Sequence, residues 1–223
     1  MSTAPDRQST ASLARRGEAD GASGWFDYGT AFSRNLGWLT DQEQARLRRS
    51  RIAIAGMGGV GGIHMLTLAR MGIGNFSIAD MDRFELVNFN RQMGASLRTL
   101  GKPKVHSVLM LAREINPEID ARVFDDGVNE DNLDAFLDGC DAYIDGLDFF
   151  VLDIRRKLFA RARERGIPAI TAGPLGFGTG FIIFTPDGMS FEDYFRFEGC
   201  TPEQQYLRFL FGLTPWPRHM RYL

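Results

Sequence analysis

The most restrictive feature of the sequence is a short apolar strand that runs directly into a cluster of glycines. Residues 52–55 are Ile-Ala-Ile-Ala, apolar on both faces, as in a central strand of a parallel sheet that is covered on both sides. The glycines that follow satisfy the motif G-x-G-x-x-G: Gly56, Gly58, Gly59 and Gly61. Residues 63–71 then have a helical pattern that ends at Gly72. This order predicts a phosphate-binding turn, because glycine backbone N–H groups and a helix N-terminus both attract anions.

Apolar strands and helical stretches continue to alternate after the glycine turn. The pattern predicts strands over 76–79, 121–124, 142–144 and 168–171, and helices over 105–115, 131–137 and 150–165. Upstream, the Thr40 and Glu43 pair has capping-box spacing, which predicts a helix over 41–50. Residues 181–184 follow Gly176, Gly178 and Gly180 and predict an antiparallel edge strand toward the C-terminus. The fold class is therefore α/β, with a Rossmann-like, doubly wound, mostly parallel sheet flanked by helices.

The length of 223 residues suits one domain with appendages. We expect a flexible tail over 1–24, a nucleotide-binding domain over 25–190 and an irregular C-terminal segment over 191–223. Basic and acidic residues number 26 and 28, which excludes a polybasic nucleic-acid binder as a description of the whole chain. No apolar run approaches the ~20 residues of a membrane span, and the first 24 residues lack a secretory signal, so a cytoplasmic protein is expected.

Polar residues beyond the glycine turn indicate which nucleotide chemistry is involved. Asp80 ends the second predicted strand, where a carboxylate can accept hydrogen bonds from both ribose hydroxyls, and this alone fits NAD or FAD as well as another nucleotide. Amide and cationic groups follow at Asn88, Arg91, Gln92 and Lys104. Nucleotidyl transfer requires such cations, because negative charge grows on the α-phosphate and on the departing pyrophosphate. Asp148, after the strand over 142–144, is a candidate ligand for the Mg²⁺ that this reaction needs.

The ordered combination of motifs resembles the ubiquitin-activating-enzyme-like adenylyltransferases, the group that contains ThiF, MoeB, HesA and the tRNA threonylcarbamoyladenosine dehydratases. The similarity extends from about residue 32 to residue 186 and rests on G-x-G-G-x-G, D-x-D, N-x-N-R-Q, G-x-P-K and a later Asp. It implies ATP- and Mg²⁺-dependent adenylation of an acceptor carboxylate, which gives an acyl-adenylate and pyrophosphate. The acceptor in this group is usually the C-terminal glycine of a ubiquitin-like protein.

The resemblance also implies a role for each motif. The four glycines match the ATP loop, Asp80 the ribose ligand, Asn88, Arg91 and Gln92 the phosphate-facing cluster, Lys104 the phosphate lysine, and Asp148 the Mg²⁺ ligand. Asp82 is a further candidate for nucleotide binding, with the capping of a turn as the alternative. Arg34 matches an arginine that reaches the ATP of a neighbouring subunit, which implies a homodimer. Phe149 follows Asp148 where the family commonly has Asn. The Cys pairs that bind zinc in many relatives are absent, which implies a member without zinc.

Cys200 falls where some relatives carry a thiol that forms a covalent link with the activated partner. An attacking cysteine must be a thiolate, and only Arg196 nearby is an obvious cation, so an inert loop cysteine is the favoured interpretation. Cys140, the other cysteine, precedes a predicted strand and is most simply a small buried apolar residue.

The partner of the chain stays open at this level. The acceptor is expected to be a ubiquitin-like or carrier protein or a peptide, with a tRNA-linked carboxylate as another possibility and no membrane partner. Eleven of the 18 phenylalanines lie between Phe149 and Phe211, where they either complete the core on one sheet face or form a partner surface. Two other functions remain: a Rossmann oxidoreductase that binds NAD or FAD, and a catalytically inactive scaffold that binds a partner.

Overall fold

The fold is built around one sheet, seen in a computed structural model that describes residues 26–175 and 178–214. Its strands are β1 Arg51–Ala55, β2 Asn75–Ala79, β3 Asp120–Phe124, β4 Ala142–Asp145, β5 Ala169–Leu175 and β6 Gly178–Phe184. Their order across the sheet is β3-β2-β1-β4-β5-β6, and all neighbours are parallel except β5 and β6. The prediction of a mostly parallel, doubly wound sheet with an antiparallel edge strand is confirmed.

The helices pack on both faces of this sheet. They are α1 Tyr28–Ala31, α2 Asp41–Arg49, α3 Gly59–Met71, α4 Lys104–Ile115, α5 Leu133–Leu137, α6 Leu152–Glu164, α7 Phe191–Phe195 and α8 Pro202–Leu213. The Thr40 capping box is present with both of its reciprocal hydrogen bonds to Glu43. Helix α3 begins four residues before the predicted start at 63, because the glycines of the turn adopt helical backbone without adding to the apolar pattern. Within the described residues, none of these helices is long and apolar enough to cross a membrane.

The strand order places the glycine turn at the middle of the sheet. From β1 the chain moves outward to β2 and β3, and it then returns to pair β4 with the other side of β1. The carboxyl ends of β1 and β4 therefore flank the point where the direction of winding reverses, which is where open α/β sheets bind ligands. The glycine turn follows β1 and the loop 146–151 follows β4, so both border this crevice.

Two hydrophobic clusters cover the two faces of the sheet. On one face α3 and α4 bury Met65 and Val108 against Ile54 and Ile78. On the other face α5 to α8 contribute a cluster rich in phenylalanine. Its buried phenylalanines are Phe136, Phe159, Phe184, Phe191, Phe195, Phe197 and Phe209. The core interpretation of the phenylalanine-rich region therefore holds for most of its members, whereas Phe150, Phe181 and Phe211 are exposed.

The C-terminal part of the described chain is more regular than predicted. An irregular segment was expected over 191–223, but α7 and α8 lie within it and pack into the same core as the sheet. Ser190 caps α7, and α8 starts with a capping box between Thr201 and Gln204 plus a proline in its first turn. The prediction of an irregular segment is wrong for residues 191–213, where these local capping signals start two helices. The tail over 1–24, Gly176 and the residues after 214 lie outside the described residues.

Candidate functional site

The glycine turn is tight because two of its glycines touch other backbone directly. Gly56 has a φ of 87°, and a Cβ there would lie 2.2 Å from the carbonyl oxygen of Gly146. A Cβ on Gly61 would lie 1.7 Å from the carbonyl oxygen of Gly56. Gly58 and Gly59 instead face the Asn88–Gln92 stretch, since their nearest neighbours are atoms of Gln92 and Arg91. The motif thus brings the loops after β1, β2 and β4 together.

Asp80 ties the end of β2 to this turn. Its Oδ2 accepts a hydrogen bond from the backbone N–H of Met57 at 2.6 Å, and its Oδ1 accepts one from Asp82 N–H at 2.8 Å. Burial raises the pKa of Asp80, while these two hydrogen bonds and the nearby Lys104 act in the opposite direction. The carboxylate is therefore held beside the glycine turn, at the position predicted for a ribose ligand.

Lys104 is a buried cation at the first turn of α4. Its Nζ lies 2.8 Å from Oδ2 of Asp82, and its side chain is 9% exposed against 54% for Asp82. Its backbone N–H also donates to the carbonyl of Asp82 at 2.9 Å. Helix α4 packs against α3, and Val108, one turn further along, lies beside Gly62. Two helix N-termini and a lysine therefore meet near the glycine turn, and Asp82 serves as the ion-pair partner of that lysine.

The stretch 85–92 supplies the amide and guanidinium groups. The side-chain oxygen of Asn88 accepts from Glu85 N–H, so this oxygen shapes the loop. Arg91 is exposed; its Nη1 donates to the carbonyl of Val87, and its stem lies against Gly59. Gln92 is 8% exposed, and its Oε1 has no hydrogen-bond partner among the described residues. A buried carboxamide oxygen without a partner, next to Gly58, indicates a place where a ligand can donate a hydrogen bond.

Asp148 lies in the loop after β4, two residues beyond Gly146, whose backbone contacts the glycine turn. Its carboxylate is exposed and forms no ion pair within the described part of the chain. This loop is organised by Arg155, a residue that no sequence motif singles out. Arg155 and its partner Asp145 are each 2% exposed, with Nε 2.7 Å from Oδ2. Arginine and aspartate are almost never buried this deeply unless paired, and only the fold reveals the pairing.

Two predicted residues lie apart from this cluster. Arg34 is exposed in a 3₁₀ turn, Ser33–Asn35, and the adjacent Asn35 side chain donates to the carbonyl of Met71 at the far end of α3. Since α3 rises ~1.5 Å per residue, that end is about 18 Å from the glycine turn. Cys200 lies in the connection between α7 and α8, where its thiol donates to the carbonyls of Arg196 and Glu198. No contact joins either residue to the glycine turn among the described residues.

The arrangement suits a nucleotide with Mg²⁺. The glycine turn leaves backbone accessible, the Gln92 oxygen lacks a partner, and Asp80 is held next to the turn. Within residues 26–175 and 178–214 there is no group of three or more His, Cys, Asp or Glu side chains that could hold a metal alone. This is compatible with Mg²⁺, which is usually bound by one or two carboxylates together with substrate phosphates. Asp148 is the carboxylate that the sequence predicts as the ligand.

Comparison with known proteins identifies the family. A profile described as the ThiF family matches residues 32–210, from the segment that carries Arg34 into α8. The chain belongs to the ThiF family. The matched region includes every candidate site residue, and it also includes α7 and most of α8.

Individual relatives match parts of this ThiF-family chain. It is 38% identical over 98 residues to the tRNA threonylcarbamoyladenosine dehydratase of Haemophilus influenzae, covering 44% of this chain and 38% of that protein. It is 41% identical over 76 residues to the molybdopterin-synthase adenylyltransferase of Escherichia coli, covering 34% and 30%. The structure of the E. coli tRNA N6-threonylcarbamoyladenosine dehydratase in complex with ATP has a TM-score of 0.63 and 30% identity, covering 67% of this chain and 61% of that chain. The chain spans well under half the length of both curated relatives.

Proposed function

We propose that this ThiF-family chain catalyses the ATP- and Mg²⁺-dependent adenylation of an acceptor carboxylate. The observation that carries the proposal is the convergence of four chain segments on the glycine turn: the end of β2, the stretch 85–92, the start of α4 and the loop 146–151. Together these segments carry backbone N–H groups, one buried lysine, one arginine and the carboxylates of Asp80, Asp82 and Asp148. This is the set of groups that a nucleotidyl transfer requires.

The comparisons support the same chemistry. A structural relative was determined with ATP bound, and a sequence relative is named an adenylyltransferase. ATP is therefore the proposed nucleotide, in preference to NAD or FAD.

Each residue has a proposed role in binding. The N–H groups of the glycine turn and of the first turn of α3 bind phosphate oxygens, and Asp80 accepts hydrogen bonds from the ribose. The amides of Gln92 and Asn88 and the guanidinium of Arg91 face the phosphates, and Lys104 adds a buried positive charge. Asp82 balances that charge before the nucleotide arrives.

The proposed reaction is an in-line displacement at the α-phosphorus. An oxygen of the acceptor carboxylate forms a bond to phosphorus, and the bond to the oxygen that bridges the α- and β-phosphates breaks. The electron pair leaves with pyrophosphate, and an acyl-adenylate remains. The carboxylate is ionised at neutral pH, so no general base is needed. Lys104 and Arg91 stabilise the charge that grows on the phosphates, and Mg²⁺ bound at Asp148 supplies further charge neutralisation.

We further propose that the active unit is a homodimer. Asn35, the neighbour of Arg34, binds the carbonyl of Met71 at the end of α3 that is about 18 Å from the glycine turn, a distance longer than an arginine side chain. A surface groove runs beside the Arg34 segment and is lined by Phe32, Leu66, Arg70, Met93 and Leu111. Exposed Ile63 and Met110 lie on the same pair of helices, α3 and α4. A second subunit that covers this apolar face would carry its own Arg34 toward the first subunit.

The proposed acceptor is the C-terminal carboxylate of a ubiquitin-like or carrier protein or of a peptide. A tRNA-linked carboxylate is the second candidate, favoured by the relatives that are named tRNA threonylcarbamoyladenosine dehydratases. Cys200 is assigned no covalent role, because its thiol donates to backbone carbonyls and touches no described residue of the site.

ATP–pyrophosphate exchange tests the proposal. Exchange should depend on Mg²⁺ and on the acceptor, offered as a peptide ending in Gly-Gly, a small carrier protein or tRNA. Asp148→Asn should abolish it, whereas Asp153→Asn, at an exposed position five residues on, should not. Acceptor binding without exchange would favour an inactive scaffold. Thermal stabilisation by NAD and none by ATP with Mg²⁺ would favour an oxidoreductase.

A further inference from the structure

One side chain, that of Arg155, donates hydrogen bonds to four of the six backbone carbonyls in the loop 146–151. Arg155, in the first turn of α6, donates from Nη2 to the carbonyls of Leu147 at 2.6 Å and Asp148 at 3.1 Å. From Nη1 it donates to the carbonyls of Phe149 at 3.3 Å and Val151 at 3.2 Å. A single planar guanidinium therefore fixes the backbone on both sides of the Asp148 side chain.

The guanidinium of Arg155 is itself held in place by residues of the core. Its Nε donates to Oδ2 of Asp145, the last residue of β4, and the same oxygen accepts from the hydroxyl of Thr171 on β5 at 2.8 Å. The guanidinium carbon lies 4.8 Å from the ring centre of Phe209 on α8. Two strands and a helix of the core thus determine where the guanidinium sits, and the guanidinium determines where the loop sits.

Helix α8 holds the same loop from outside. The hydroxyl of Tyr206 donates to the carbonyl of Phe150 at 3.1 Å, and the Phe149 ring lies 5.3 Å from that of Phe209. Phe149 stands directly after Asp148, so its packing against α8 anchors the residue next to the carboxylate. Arg155 and Tyr206 bind different carbonyls of the loop 146–151, and both hold this loop against the core.

Stability alone is a weak reason for such a pair. Burying an ion pair costs desolvation that the mutual attraction barely recovers, so apolar residues of the same size often serve equally well. The planar guanidinium of an arginine that binds four carbonyls instead fixes their positions relative to one another. A lysine, with three donors on a flexible side chain, does not.

We propose that Arg155 is the positioning residue that holds Asp148 in place to bind Mg²⁺ with the nucleotide, with Tyr206 of α8 as its second support. This proposal rests on the proposed function, in which Asp148 is the Mg²⁺ ligand. Mutation of a group that orients a metal ligand typically lowers the affinity for the metal about 10- to 100-fold.

Calorimetric titration with an ATP analogue that cannot be cleaved between the α- and β-phosphates tests the proposal, with and without Mg²⁺. In the wild type Mg²⁺ should tighten binding. In Arg155→Lys the tightening should fall about tenfold or more, while affinity without Mg²⁺ stays within about twofold. Arg156→Lys is the matched control: Arg156 also makes a two-bond pair, with Glu192, and lies over Phe197, but it touches α7 and α8 and not the loop. It should keep the full Mg²⁺ effect.

Tyr206→Phe covers the case in which Arg155→Lys does not fold, because it removes one hydrogen bond at a partly exposed site. It should reduce the Mg²⁺ effect severalfold, in line with its single contact to the loop. An unchanged Mg²⁺ effect in the variant that folds overturns the proposal, and so does an equal loss of affinity with and without Mg²⁺. If the wild type did not bind the analogue at all, the proposed function itself would be wrong. The titrations therefore separate failure of the proposed function from failure of the role of Arg155.

Discussion

Lys104 and Asp82 form an ion pair whose lysine is buried and whose aspartate is open to solvent. A buried ammonium without a partner would be costly, and the carboxylate of Asp82 supplies that partner, while the backbone carbonyl of Asp82 accepts from the backbone N–H of Lys104. The pair therefore allows a positive charge to be buried at the first turn of α4 before any nucleotide is present. We therefore expect a phosphate group that binds at the glycine turn to meet a cation that is already in position.

Replacement of Lys104 by alanine should abolish ATP–pyrophosphate exchange and leave the fold intact. The buried charge is proposed to stabilise the phosphates in the transition state, so its removal should lower the rate about 100- to 1000-fold. Lys102→Ala is the control, because Lys102 is exposed two residues earlier and should tolerate the change. Rates of exchange and circular dichroism spectra of both variants check this. Equal rates in the two variants would exclude Lys104 from the mechanism.

Arg91→Ala should have a similar effect for a different structural reason. Its stem lies against Gly59, and Nη1 is anchored on the carbonyl of Val87, which leaves the rest of the guanidinium for the phosphates. The exchange rate should fall by roughly two orders of magnitude. Arg83→Ala is the comparison, since Arg83 is also exposed and also donates to one backbone carbonyl, that of Gly101. A rate for Arg91→Ala equal to that of Arg83→Ala would remove Arg91 from the site.

Gly61→Ala should destabilise the protein, because the new methyl group would lie 1.7 Å from the carbonyl oxygen of Gly56. Backbone atoms cannot rotate away as a side chain can, so a loss of at least about 1–3 kcal/mol is expected. That corresponds to a fall in Tm of several degrees for a chain of this size, measured by thermal unfolding. Gly29→Ala is the control: in α1 a Cβ would meet only Asp27 Oδ1 at 3.6 Å, and Tm should stay the same or rise slightly.

The parts of the site that the sequence could predict are those with local signatures. The glycine turn and the Thr40 capping box follow from residues adjacent in sequence, and the structure has both. Arg155 was not predictable, because its role depends on partners on β4, β5 and α8 that only the folded chain assembles. Gly146 is a similar case, since its requirement for glycine comes from contact with Gly56, far away in sequence. Helix α8, unlike Arg155 and Gly146, could have been predicted, because its capping residues lie close together in the sequence.

Nucleoside affinity should depend on pH through Asp80. Burial raises the pKa of this carboxyl group, so it takes up a proton at a higher pH than an exposed aspartate would. It is ionised above that pKa and accepts both ribose hydroxyls; as the pH falls through the pKa it loses acceptor capacity. Adenosine, which has no phosphates to titrate, should bind about tenfold more weakly once Asp80 is protonated. Calorimetry from neutral to mildly acidic pH measures this, and Asp80→Asn should be weak throughout with a flat profile. If the wild type and Asp80→Asn lost adenosine affinity in parallel as the pH fell, Asp80 would not be the ribose ligand.

Mixed dimers test whether Arg34 serves the site of the partner subunit. Arg34→Ala and Lys104→Ala should each be inactive alone, since one lacks the proposed trans arginine and the other the phosphate lysine. When the two are unfolded, mixed in equal amounts and refolded, half of the dimers are mixed, and each mixed dimer has one complete site out of two. Exchange activity should therefore return to about one quarter of the wild-type value for a two-fold symmetric dimer. Mixing Lys104→Ala with Asp148→Asn should restore nothing, because those residues belong to the same site. An Arg34→Ala protein that is fully active alone, or a mixture with no activity, would show that Arg34 does not act across a dimer.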